Sequence, residues 1–202
     1  MMRLDTGMRN KVLIALMIWI AAAVFIGASG FSAKLTPPAP QVILFGLVLL
    51  LFIFFALSSG FRRWIMSIDI RTLVLIHVSR FVGIYFLMLY AEGRLPYDFA
   101  VPGGRGDIIV ASGAVALAAF CPVDGRRGKF FYFIWNTAGL VDILFVVATA
   151  ASLAMANPES MSELQKLPLW LLPSFLVPVI IFTHIIIFVR LYRGRRDHVM
   201  RF

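Results

Sequence analysis

Apolar residues in this chain run in long blocks rather than alternating with polar ones at a surface-helix or strand period. Six blocks can be read, at about residues 12–30, 41–59, 73–90, 108–122, 131–156 and 168–190. About 20 helical residues, rising 1.5 Å each, cross a hydrocarbon core of roughly 30 Å. The pattern therefore predicts an all-α fold: a polytopic membrane helix bundle of six transmembrane helices, built as one domain over residues 1–202. The fourth block is short. Its small residues (Ala111, Gly113, Ala114, Ala118) suit a helix packed tightly against others, where backbones approach closely.

Composition agrees. Hydrophobic residues make up 61% and charged residues 14%, so a water-soluble globule and a disordered chain are both excluded. Cys121 is the one cysteine, and no Cys/His cluster has structural-zinc spacing, so no metal site is expected. A net charge of +9 would suggest nucleic acid in a soluble protein, but topology accounts for it. Fourteen of the 19 basic residues fall on the side that holds both termini. Four (Lys34, Arg94, Arg105, Lys166) fall on the other, and Arg80 lies within a span. The positive-inside rule then places both termini in the cytoplasm, with anionic lipids as counter-charge and no nucleic-acid partner. A bacterial cytoplasmic (inner) membrane is the expected location. Arg9 to Lys11, an apolar run and Ala28-Ser29-Gly30 have the outline of a signal peptide. The run is long and carries Trp19 at its middle, so it is read as an uncleaved first helix.

The connections are short. Pro37-Pro38-Ala39-Pro40 is expected to be a stiff outer turn, and Phe61 to Thr72 a short amphipathic helix on the inner leaflet. Ser160 and Glu163 have capping-box spacing. Pro168 is placed to open the last span. Pro178 lies inside it and should free the carbonyl of Ser174 and kink the helix.

Polar residues within spans are the candidates for function, because a charge at the bilayer centre costs about 2.5–3.5 kcal/mol on insertion scales and needs a partner. They are His77, Arg80, Asn136, Asp142 and His184. Arg80 and Asp142 lie at overlapping depths and are expected to pair, as a helix lock or as a site for substrate, ion or proton. His77, Asn136 and His184 should form a polar layer just cytoplasmic of them. Two histidines on different helices are also what a bis-imidazole haem b would need. Interhelical hydrogen bonding and proton relay are the other readings of the layer.

Between spans three and four, Glu92, Asp98 and Asp107 are read as outer-loop residues. Asp107 would cap the fourth helix, and the three together could attract cations. No Gly-x-Ser-x-Gly, His-Glu-x-x-His or Gly-x-Gly-x-x-Gly occurs, so no catalytic residue is assigned and an enzyme is not the favoured reading. Arg80, Leu95-Pro96, Gly106-Asp107 and Trp135-Asn136-x-x-Gly139-x-x-Asp142 form a pattern over residues 77–190. It resembles a group of small uncharacterised bacterial multi-pass integral membrane proteins with no assigned activity, so the resemblance implies no mechanism. Function is thus expected to be transport of a small solute, ion or proton, or ligand binding, between helices three, five and six. A non-catalytic membrane scaffold or accessory subunit and a haem-bearing electron carrier are the alternatives. A homo-oligomer or another membrane partner stays open.

Overall fold

The computed structural model describes residues 6–123 and 125–199. Among them the chain is helical, without strands. In order come α1 (Thr6–Ala28), α2 (Ala39–Leu57), α3 (Ser59–Ser67), α4 (Ile70–Leu75), α5 (Gly83–Ala91), α6 (Tyr97–Phe120), α7 (Gly125–Ala156) and α8 (Val177–Val199). A 3₁₀ segment, Ile76–Val82, joins α4 to α5 in one continuous span, and a π-helical turn, Leu172–Leu176, leads into α8. Six helical stretches are long and apolar enough to cross a membrane, and the chain is an integral membrane protein.

The fourth span differs from expectation. It begins at Tyr97, not near 108, so the Pro102-Gly103-Gly104-Arg105-Gly106 stretch is mid-helix rather than loop. In water such a run breaks helices; inside a bundle, glycine lets backbones touch, and neighbouring helices compensate a proline. Pro96 precedes the first turn and Asp98 sits within it, where an acid complements the helix dipole.

Two apolar clusters make the core. One, at the end opposite the termini, centres on Phe86, Leu89, Phe99, Ile143 and Ile180. The other, nearer the termini, centres on Leu73, Val74, Tyr132, Ile186 and Ile187. On α7, the residues Gly128, Tyr132, Trp135, Asn136, Gly139, Ile143 and Val146 recur every three or four positions and form its buried stripe. The short helix predicted at 61–72 is two, α3 and α4, capped by the side chains of Ser58 and Asp69. Arg62 donates to the carbonyl of Ala56 at 2.9 Å, satisfying the C-terminal end of α2.

Pro178 leaves the carbonyl of Ser174 free for an outside donor, as expected. The freed carbonyl of Ser174 accepts from the indole Nε1 of Trp19 at 2.8 Å, which ties α1 to the last span. Pro168 does not open that span; it lies in a turn ahead of it. The capping box is also absent. Asn157 caps the 3₁₀ segment Pro158–Gln165 through its side chain, and Glu163 bonds elsewhere. It accepts from Arg94 and from Lys166, each at 2.7 Å. Burial pushes the Glu163 carboxyl up, but the hydrogen bonds from Lys166 and Arg94 outweigh it and hold the group below the usual glutamate range. Glutamine 165 and Ser32 complete this outer lock, Ser32 Oγ donating to the Gln165 carbonyl at 2.7 Å.

Candidate functional site

The polar residues gather between the two apolar clusters because span three changes pitch there. A 3₁₀ helix has three residues per turn, so positions i, i+3 and i+6 eclipse. His77, Arg80 and Gly83 fall on one line, and all three are buried. Glycines then make room for that line. A side chain at Gly104 would stand 2.7 Å from the carbonyl oxygen of Gly83, and one at Gly83 would stand 2.9 Å from the Asp107 Cβ. This close crossing of α5 and α6 delivers Asp107 to Arg80. On α7, Asp142 follows Gly139 by three residues, and its carboxylate fills the space that a side chain on Gly106 would take.

Arg80 is 1% exposed, and each of its three nitrogens donates. Nε bonds Asp107 Oδ1 at 2.6 Å, Nη1 bonds the Gly139 carbonyl at 2.9 Å, and Nη2 bonds Asp142 Oδ2. Asp142 is therefore placed against Arg80 as the sequence led one to expect. Asp107 is the correction: it is neither an outer-loop residue nor a helix cap, but a buried carboxylate that joins the half-buried Asp142 on the same guanidinium. Glu92 instead pairs with Arg94 at 2.9 Å, and Asp98 is exposed in the first turn of α6. The three acids do not form one outer mouth.

The histidine layer is adjacent. His184 Nδ1 lies 2.8 Å from Asn136 Oδ1, and Asn136 Nδ2 donates to the His184 carbonyl at 3.0 Å. His77 Nε2 lies 3.3 Å from the hydroxyl of Thr183, a polar neighbour that sequence reasoning passed over beside His184. Trp135 closes the layer, its indole donating to the Val110 carbonyl at 3.0 Å. His77 and His184 are completely buried, and their remaining nitrogens, Nδ1 and Nε2, have no partner. Their ring centroids are 4.2 Å apart. Axial haem ligands need a porphyrin between them, and rings in contact leave no such gap; as placed, the pair does not fit a haem. Among the described residues no group of three or more His, Cys, Asp or Glu could hold a metal ion.

A cavity of about 90 Å³ reaches this site from the end opposite the termini. The exposed Pro158 and the half-buried Pro37 line it, and the buried Arg80 and Asp107 form part of its wall. Six apolar helices around a buried cluster of charges define a polytopic α-helical membrane protein. The chain belongs to the family described as Domain of unknown function (DUF8737), which it matches over residues 37–192. That stretch holds every residue of the sequence pattern noted above and leaves α1 outside. No curated protein and no solved structure matches the chain.

Proposed function

We propose that the chain is a small membrane transporter whose working centre is the Arg80–Asp107–Asp142 cluster, and that this cluster loads a proton or a small cation. One observation carries the reading: two carboxylates share a single buried guanidinium. With all three ionised the cluster holds one negative charge in excess. An unpaired charge in a low-dielectric interior costs several kcal/mol, so a proton or cation is needed to balance it. An exchangeable positive charge held within a span is what a coupled carrier requires. The site then lies between spans three, four, five and six rather than three, five and six alone. The same reading takes the termini as cytoplasmic, in a bacterial inner membrane facing anionic lipids on the basic side.

A scaffold or accessory role is favoured by a different observation, the dense packing of His77, Asn136 and His184 with none of them exposed. Infrared spectroscopy of the purified protein separates the two. A protonated carboxylic acid band that disappears in Asp107→Asn or Asp142→Asn is the expected result. Proteoliposomes with an internal pH dye should then show potential-driven proton entry, lost in the same variants. No acid band and no flux would leave the scaffold reading.

A further inference from the structure

The cavity beside the cluster is built for one class of molecule. Its walls come from several helices and are apolar: Leu44, Phe86, Val146, Ala150 and Val177 among them. Among its polar lining residues, Asp107 and Gln41 offer acceptors. Asp107 contributes a carboxylate of which Arg80 takes Oδ1. Ser79 also lines it, but the hydroxyl proton goes to the Ile76 carbonyl at 2.9 Å. Gln41 lines it with a buried Oε1 that has no partner. Arg80 already donates from every nitrogen, and with both carboxylates ionised the cluster is net negative, so the site favours a cation over an anion. A ligand for these walls needs N–H donors, positive charge and an apolar body. The volume limits that body, since a cavity that holds benzene is about 150 Å³ and this one is about 90 Å³.

We propose that the cavity binds a small unbranched alkylammonium, its chain among the apolar walls and its head on Asp107 Oδ2. Binding exchanges one positive charge for another: the ammonium enters with its own protons, and the proton held by the carboxylates leaves to water. The proposal rests on reading the cluster as a cation-loading centre, and it adds the substrate class.

The probe is n-butylammonium, with n-butanol and butyrate as neutral and anionic matches of similar size. Detergent-purified wild-type protein should show saturable thermal stabilisation by n-butylammonium and none by the other two. Affinity should fall at least tenfold in Asp107→Asn, and also in Ala150→Phe, which fills the cavity while leaving the charges intact. In the infrared, n-butylammonium should remove the carboxylic acid band. If n-butanol stabilises equally, or Ala150→Phe binds as wild type does, the proposal is overturned. A carboxylic acid band that is present but unmoved by n-butylammonium, with no stabilisation, overturns the alkylammonium and leaves proton loading standing. No band and no stabilisation overturns both.

Discussion

The first and last spans are built from nearly the same amount of grease and do opposite things. Each has a mean hydropathy of 2.4 over its most apolar stretch, yet 6% of that stretch is buried in α1 and 56% in Leu172–Arg193. The difference comes from what interrupts the apolar run. The last span carries Ser174, Thr183 and His184, which need partners and are buried. Most large side chains of α1, such as Met17, Ile18 and Phe25, are exposed, as suits a helix facing lipid. Hydropathy reports that a helix belongs in a membrane; it does not report which helix the fold is built around.

Four experiments would break or sharpen that contrast. The largest effect belongs to Arg80→Gln. It strands two carboxylates, and removing one partner of a buried ion pair costs about 3–5 kcal/mol. Folded yield in detergent should collapse. Asp107→Asn and Asp142→Asn should lose far less, because each leaves a neutral Arg–Asp pair. Equal losses for all three would refute the charge imbalance. Next comes Ile186→Ala against Ile18→Ala. Ile186 is 1% exposed and Ile18 66%. A large-to-small change in a packed core costs about 2–5 kcal/mol, whereas a substitution that touches little stays within about 0.5 kcal/mol. Thermal melts should separate them clearly, and overlapping melts would sink the distinction between the spans.

A smaller effect is expected from Trp19→Phe. It keeps the ring that packs on Phe175 at 4.9 Å between centroids, but it removes the donor to Ser174. One hydrogen bond contributes about 0.5–1.5 kcal/mol, and a buried carbonyl left bare should bring the loss toward the upper end. An unchanged melt would mean that α1 is tied to the bundle by packing alone. The smallest effect is acidification of the outer lock. Glu163 is held below its ordinary value, so its contribution is complete above the unfolded-state value and is lost as pH falls through the folded one. Amide protection over Pro158–Gln165, after correction for the intrinsic pH dependence of exchange, should fall in acid more than protection in α8, and Glu163→Gln should abolish that dependence.

All six spans were legible as apolar blocks, and Arg80 with Asp142 could be matched by depth. Asp107 could not. Its setting among Gly103, Gly104 and Gly106 has the composition of a loop, and only the fold reveals those glycines as the crossing point with Gly83. The available signal was Pro96 followed by Asp98, a helix-start pattern that moves the boundary about ten residues upstream. Gly139 was legible as a spacer on the polar face of α7. Its actual duties, a carbonyl for Arg80 and clearance for His184, depend on another helix and leave no local trace.

Span three is a screw cut with two pitches. Seven residues at about 2.0 Å rise instead of 1.5 Å make Ile76–Val82 about 3.5 Å longer than the same residues wound as an α-helix. Each step also turns 120° rather than 100°, so rewinding would swing Arg80 by roughly 60° about the axis relative to His77. That rotation carries the guanidinium off its carboxylates. The charge cluster therefore depends on the coarser thread, which sets Arg80 on the line of His77 and against Asp107 and Asp142.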